Sequence, residues 1–457
     1  MIKQRITSLI YSVGIDRAVF YTLIYRGWQI VAGVATVFLV ARYFSPIEQG
    51  FYYTYSSLLA LQIFVELGLT TIVMQFASHE KAHLKWTKEG NLIGDPVAIQ
   101  RLRSLSRFAL KWYGIASGVI LVILVPIGFY FFGRSPDAIT TQGWQFPWIW
   151  LVVITSGNLL ISPIVAVLEG CGLVAEVARM RAVQDFLAYG SFWLGLIGGW
   201  GLMAAPLIGT LRLAVSVTWL VTRKRSFLSD LWDGPISTGF KWWQEVWPMQ
   251  WKIALSWVSG FLIFQLFNPV LFAFSGAVVA GQMGMSLSVT TSINTIAAGW
   301  LYTKIPIFGQ LIAKRKFEEL DRLFFRTLIQ TFCVCVFLGI VFFGGMIVLW
   351  KLHVPLVQRF LEPLPLGLLL LTSIVNIIIS SEAAYLRAHK QEPFMVNSIS
   401  MGILMGLSTY LLGRYFGAIG VVTGYFVIST TLGVGWATWI FITKRKVWHY
   451  IVENNTL

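Results

Sequence analysis

Along most of this chain the apolar residues do not alternate with polar ones. They run together in blocks of about twenty or more, broken by short stretches rich in Gly, Pro, Lys and Arg. An α-helix needs about 20 apolar residues to cross a ~30 Å hydrocarbon core, and a helix satisfies its own backbone there. The blocks predict about twelve spans, at roughly 18–43, 47–78, 108–133, 148–168, 183–200, 205–222, 251–274, 277–303, 326–350, 364–386, 393–413 and 417–443. The fifth and sixth are short and Gly-rich, with "GGWGLMAAP" as the turn between them. The fold class that follows is an all-α polytopic membrane protein.

Two internal echoes give these spans an order. "LVARYFSPIEQGFYYTYSSLLALQ" (39–62) is matched by "PVLFAFSGAVVAGQMGMSLSVTTSI" (269–293), and "AVLEGCGLVAEVARM" (166–180) by "AYLRAHKQEPFMV" (384–396). Members of each pair have the same expected membrane orientation, as parallel repeats of six spans require. The expected organisation is a six-helix lobe over 1–222, a connector over 223–250 and a second six-helix lobe over 251–457. In the connector, Trp243, Trp247 and Trp251 recur every four residues in "STGFKWWQEVWPMQWK". That spacing suits either a helix lying in the membrane interface or a Trp belt at the start of span seven.

Composition agrees with the pattern and narrows the function classes. The 457 residues are 56% hydrophobic and only 12% charged, with a mean hydropathy of +0.71; soluble domains carry about 25% charged residues. The net charge of +15 is sorted between alternate loops. Lys3, Arg5, Arg17, the 81–111 run, Arg179, Arg181, 223–225, 313–326, Arg387, Lys390 and 444–446 fall on one side. Arg42, Arg134, Lys351, Arg359 and Arg414 fall on the other. By the positive-inside rule both termini are expected to be cytoplasmic, and the charge to face anionic lipid, not nucleic acid. No small-residue cleavage site follows a short apolar core, so the first span is expected to be retained. Cys171, Cys333 and Cys335 lie in or beside apolar spans and suggest packing, not disulfides.

Motifs for covalent chemistry are weak. "HEKAH" (79–83) matches H-E-x-x-H, but a catalytic zinc needs a third protein ligand, and the residues beyond are Trp86 and the basic "RLRSLSR". The pair reads as a solvated helix end beside Lys81 and Lys85, and no metal site is expected. There is no phosphate-binding G-x-x-x-x-G-K-[ST] loop and no G-x-S-x-G elbow. The chain is therefore expected not to be an enzyme and to carry no cofactor beyond a coupling proton or sodium ion.

Polar groups within the spans are the remaining signal, because intramembrane charges tend to be functional. Arg26 lies about eight residues into span one, roughly 12 Å deep at 1.5 Å per residue. Glu66 lies at a similar depth in span two. On a straight helix Tyr55, Gln62, Glu66 and Thr70 share one stripe, and Arg26 shares a face with Thr22, Gln29 and Gly33. The two stripes suit a common cavity, or a salt bridge that locks the two spans; these are compatible. Arg212 and Lys252 suit an anion ligand or a side chain reaching for headgroups. Gln265, Gln282, Asn294, Asn376 and Glu382 complete the candidates, with Pro269 as a kink after "FQLFN".

The stretch "VARYFSPIEQGFYYTYSSLLALQIFVELGL" (40–69), the "LEGCG" and "LRAHK" turns and the basic loops at 79–107 and 304–326 resemble the polysaccharide flippases of the MOP/MATE exporter superfamily. The resemblance is to the Wzx-like transporters of lipid-linked oligosaccharides and spans essentially the whole chain. It implies two pseudo-symmetric bundles around a central cavity in the bacterial inner membrane. It further implies flipping of a polyprenyl-diphosphate-linked oligosaccharide to the periplasmic leaflet for O-antigen, lipopolysaccharide or similar surface polysaccharide. A polysaccharide polymerase and other assembly proteins would be partners. By the same resemblance, cationic residues meet the diphosphate, which favours Arg26 with Arg212 and Lys252 behind it. Gln29, Tyr55, Gln62, Gln265, Gln282 and Asn294 would offer hydrogen bonds to sugar hydroxyls. Glu66 would orient Arg26 or accept a coupling ion. An acid in the cavity keeps open a multidrug or cation antiporter of the same superfamily, and an uncoupled scramblase or a membrane-embedded glycan enzyme stands further off.

Overall fold

The structure, a computed structural model, describes residues 17–87, 90–137, 143–233, 241–389 and 391–454, excluding the side chains of 17–24, 26, 233 and 449–454. The Arg26 side chain, central to the sequence expectation, therefore lies outside the described residues.

Every expected span falls on helical chain, some of it broken. Helix α1 (Arg17–Tyr43) is followed by α2 (Pro46–Leu59), a short α3 (Ile63–Glu66) and α4 (Leu69–Lys81). After a β-hairpin of β1 (Leu84–Trp86) and β2 (Leu92–Gly94) come α5 (Pro96–Gly133), α6 (Gln145–Gly170), α7 (Val174–Ile197), α8 (Ala205–Arg223) and α9 (Arg225–Asp233). Then follow α10 (Trp242–Glu245), α11 (Trp247–Phe264), α12 (Phe267–Ser275), α13 (Ala277–Ala313), α14 (Phe317–Lys351) and α15 (Pro363–Ala388). A π-helix, Ser429–Trp436, joins α16 (Met395–Ile428) to α17 (Ala437–Asn454). Among the described residues seven helices are long and apolar enough to cross a membrane, or eight if the bent α2–α4 segment is one span. The all-α polytopic fold is the one the sequence predicts.

The chain forms two compact units. One lies within Met1–Leu39, Leu59–Arg134 and Thr140–Trp257, the other within Val40–Leu58, Ser135–Ile139 and Val258–Leu457. Their borders pass through α1, α2 and α11, so each of these helices contributes to both.

Within the first unit, close helix approach depends on missing side chains. A Cβ at Gly128 of α5 would lie 1.9 Å from the Trp148 indole nitrogen, and one at Gly170 of α6 would lie 2.3 Å from the Met74 carbonyl of α4. Span two is not the straight helix assumed for the Tyr55–Thr70 stripe. Leu67 (φ 50) and Gly68 (φ 68) are left-handed, and the two arms meet at a 48° bend. Such a break strips carbonyls of their helical donors. Trp112 Nε1 donates to the Val65 carbonyl at 3.1 Å, a replacement from α5. Gly68 is required on two counts, since a Cβ there would also lie 2.4 Å from Ile253.

In the second unit an aromatic core of Phe308, Phe324, Tyr385, Phe394 and Phe441 holds α13, α14, α15 and α17 together. Gly417 (φ 59, ψ −143) turns the chain within α16. It supplies the break between the eleventh and twelfth expected spans.

The connector is tied to α5. Arg103 donates to the Asp230 carbonyl at 2.8 Å, and Arg107 to those of Leu231 and Trp232 at 2.9 and 2.5 Å. Cations on the last carbonyls of α9 complement the negative end of its dipole. Arg101 bridges Glu80 at 2.8 Å and Glu245 at 2.6 Å. The carboxylate of the H-E-x-x-H match is thus held by an arginine. Trp242 stacks on Phe108 with centroids 4.1 Å apart, while Trp243 is 72% exposed. Burial works to raise the Glu245 pKa, but the Lys241 amide and Arg101 outweigh it and hold the carboxyl below its ordinary value. A depressed folded pKa gives stability that is present above the unfolded value of about 4.3 and lost as pH falls through the folded one. Trp fluorescence of the purified protein should report loosening of the Trp242–Phe108 stack on acidification below about pH 4, the range set by that reference value. Glu245→Gln should show the loosened signal already at neutral pH; an unchanged pH profile in this variant would remove the assignment.

Candidate functional site

Three helices of the first unit bring polar side chains together inside an apolar bundle. On α7, Arg181, Gln184, Asp185 and Tyr189 follow one another at helical spacing and so share a face. On α8, Arg212 and Ser216 are one turn apart, as are Tyr25 and Gln29 on α1. Asp185 is the centre. Its Oδ1 accepts from Arg212 Nε at 2.8 Å and Nη2 at 2.7 Å, and its Oδ2 accepts from Gln29 Nε2 at 3.3 Å. Gln29 Nε2 also donates to the Tyr25 hydroxyl at 2.7 Å. The aspartate side chain is 4% exposed and the arginine side chain 37%, so the carboxylate is enclosed while part of the arginine side chain is open.

The arrangement is braced from behind. Gln184 Nε2 donates to the Arg212 carbonyl at 2.8 Å and to the Ser216 hydroxyl. The Tyr189 ring centroid lies 5.7 Å from the guanidinium carbon of Arg212, within cation–π range. One turn before Asp185, Arg181 makes a two-point contact with Glu169 of α6 at 3.2 and 2.8 Å and is itself 40% exposed. The cluster thus offers two partly exposed arginine side chains, each anchored by its own carboxylate. Such planar donors suit phosphate oxygens.

Glu66 forms a separate group next to the helix break. Its carboxylate accepts from the Thr70 hydroxyl and, at 3.4 Å, from Tyr113 of α5. Thr70 and Tyr113 are themselves 2.5 Å apart. Among the described residues no cation pairs with Glu66, so the partners seen are hydroxyls. Thr70 stays with Glu66 despite the bend, whereas Tyr55 belongs to the other unit. The straight stripe from Tyr55 to Thr70 is therefore corrected to a local group of Glu66, Thr70 and Tyr113. Gln62 is half-buried on the short 3₁₀ turn before α3.

The other candidates are dispersed. Lys252 is exposed, 5.8 Å from the Trp251 ring centroid. In the second unit Tyr55 is buried against Phe51, with centroids 6.0 Å apart, and Gln265 sits at the break between α11 and α12. Gln282 Nε2 donates to the Gln358 carbonyl at 3.0 Å. Asn294 Oδ1 accepts from Ser373 at 2.8 Å, and Asn376 donates to the Tyr425 hydroxyl at 2.7 Å. Glu382 is 3% exposed and accepts from Thr438 at 2.8 Å. Among the described residues no group of three or more His, Cys, Asp or Glu could hold a metal ion.

Asp185, Tyr25, Gln184, Tyr189 and Tyr113 are missing from the sequence expectation. The signal for Asp185, Gln184 and Tyr189 was present in "RMRAVQDFLAY" (179–189), whose polar positions recur at helical spacing. The expected span began at 183, which assigned Arg181 to a loop and put Asp185 at a helix end. The helix begins at Val174, so Asp185 lies roughly three turns inside it.

No family model and no curated protein matches the chain. Several solved structures match its fold. The MATE multidrug transporter DinF-BH, determined with a bound ligand, is 14% identical, with 96% of each chain covered and a TM-score of 0.59. The lipid II flippase MurJ in an inward closed conformation is 14% identical, covering 95% of this chain and 93% of its own, with a TM-score of 0.56. A MOP superfamily transporter from Pyrococcus furiosus, for which a binding pocket of reverse polarity is described, is 14% identical, with 94% of each chain covered and a TM-score of 0.55. The likeness is one of fold, and it extends over nearly the whole chain.

If Asp185 and Arg212 act as one unit, removing either leaves the other uncompensated in an apolar setting. Asp185→Asn and Arg212→Gln should each destabilise the purified protein by about 1–3 kcal/mol, below the fully buried range because Arg212 is partly open. The double variant should lose less than the sum, with a coupling of about 1 kcal/mol or more. Additive losses in thermal or denaturant unfolding would show that the pair does not couple.

Proposed function

We propose that this chain is a transporter of the MOP/MATE superfamily that flips a polyprenyl-diphosphate-linked oligosaccharide from the cytoplasmic to the periplasmic leaflet. It works by alternating access, without covalent chemistry, in surface-polysaccharide assembly at the bacterial inner membrane. The observation that carries this reading is the pair of partly exposed, carboxylate-anchored arginine side chains, Arg212 on the apolar helix α8 and Arg181 on α7. A fold shared with a lipid II flippase supports it. In this scheme a diphosphate takes up the open edges of the two arginines. Tyr25 and Gln29 turn hydroxyl and amide groups toward the first sugar, and Lys252 meets the headgroup near the membrane surface. Proton or sodium coupling would fall to a carboxylate, with Glu66 available because hydroxyls hold it.

One observation favours a second reading. Asp185 and Glu66 are intramembrane acids, and a cation antiporter of the same fold would use them for its substrate or coupling ion. Reconstituted vesicles carrying a fluorescent polyprenyl-diphosphate sugar separate the two. The flippase reading expects protein-dependent exposure of the label, lowered at least tenfold by Arg212→Gln. Efflux of a cationic dye that is abolished by Glu66→Gln, with no lipid movement, would establish the antiporter instead.

A further inference from the structure

The hairpin formed by the end of α1 and the start of α2 is held in the second unit by an unusual seam. Residues Val40–Leu58 belong with Val258–Leu457, although the earlier part of α1 belongs to the first unit. The helices meet glycine to glycine. A Cβ on Gly50 would lie 1.9 Å from the Ala277 carbonyl oxygen, and one on Gly281 would lie 2.9 Å from the Gly50 nitrogen. Gly284 leaves room for the Tyr53 ring in the same way, its Cβ position falling 2.3 Å from that ring. Small residues permit such an approach without interlocked side chains.

Beside the edge-on contact of Phe51 with Phe272, whose ring centroids are 5.0 Å apart, polar side chains bridge this seam. Gln49, 1% exposed, donates from Nε2 to the Gly281 and Arg359 carbonyls at 2.8 and 2.9 Å. Arg359 donates from Nη2 to the Phe44 carbonyl at the end of α1, at 2.6 Å. Asn268 donates from Nδ2 to the Ser57 hydroxyl at 3.2 Å. Each of the three bridges leaves its second polar atom buried without a protein partner: Gln49 Oε1, Arg359 Nη1 and Asn268 Oδ1. A seam built for permanence would satisfy both ends of such groups, because half-satisfied buried polar groups oppose the contact they belong to. A seam that opens returns those atoms to hydration. At its turn the hairpin keeps its own shape through the Ser45–Glu48 capping box, with bonds of 2.8 and 3.1 Å. It can therefore leave as a formed piece.

We propose that Gln49, Arg359 and Asn268, across the Gly50–Gly281 crossing, form a releasable latch that lets go of the 40–58 hairpin once in each transport cycle. The proposal rests on the alternating-access reading above, but its test needs no substrate. In a background with Cys171, Cys333 and Cys335 replaced by Ala, Ser57→Cys provides a thiol beside Asn268. A bulky maleimide in detergent should label it slowly, since Ser57 is 4% exposed. Gly281→Leu, which wedges the crossing, should raise the labelling rate tenfold or more. Arg359→Ala, which removes the Phe44 contact, should act in the same direction and serves if the wedge variant does not fold. Labelling rates unchanged in a folded variant of either kind would overturn the latch. Joining Ser57→Cys to Asn268→Cys by oxidation should stop lipid flipping in vesicles and reduction should restore it; flipping that continues with the pair joined would also overturn it. A labelling response with no flipping by any variant would leave the latch standing and count against the substrate.

Discussion

An arginine in a hydrocarbon bundle needs a carboxylate within reach, and around Arg212 this requirement organises the first unit. A charge at membrane depth is costly unless it is paired or faces water. Asp185 meets the guanidinium through two nitrogens, Gln29 takes the second carboxylate oxygen, and Gln184 fixes the backbone of the partner helix. Three helices are thereby locked in register by one ion pair. Because the pair holds only one edge of the guanidinium, the cluster is satisfied in the absence of ligand and still presents a cation. This is the combination that the proposed flipping of an anionic lipid requires.

Other helices are interrupted where polar groups gather. The left-handed pair Leu67 and Gly68 follows Glu66 directly, α11 gives way to α12 at Gln265 and Leu266, and a π-helix precedes Thr438, the partner of Glu382. Non-helical backbone in a membrane is tolerated where protein or water satisfies it, and π-helical turns are frequent at functional sites. Here Trp112 supplies one of the missing donors to the Val65 carbonyl. Carboxylates beside such breaks sit on backbone that can change shape without unravelling a whole span.

Much of the architecture was legible because apolar run length is a strong signal for a membrane helix. The twelve expected spans fall on helical segments, though 47–78 is divided among α2, α3 and α4 and 251–274 between α11 and α12, and the Gly417 turn lies where two spans were separated. The site was less legible. Asp185 was hidden because charged residues at the start of α7 look like a loop when hydropathy alone sets the boundary. The Glu66 stripe failed as drawn because a helical wheel assumes a straight helix, and Leu67 at positive φ gives no compositional warning. Which oxygen meets which guanidinium nitrogen depends on packing between helices far apart in sequence, which periodicity does not encode.

The central claim is that the membrane arginines serve an anionic lipid. Equilibrium binding of a polyprenyl diphosphate to the purified protein tests it most directly, with a lipophilic dye cation as competitor and Arg212→Gln as comparison. The account predicts saturable binding of the diphosphate that the dye does not displace and that weakens at least tenfold in the variant. Tight binding of the cation, with none of the diphosphate, would contradict it.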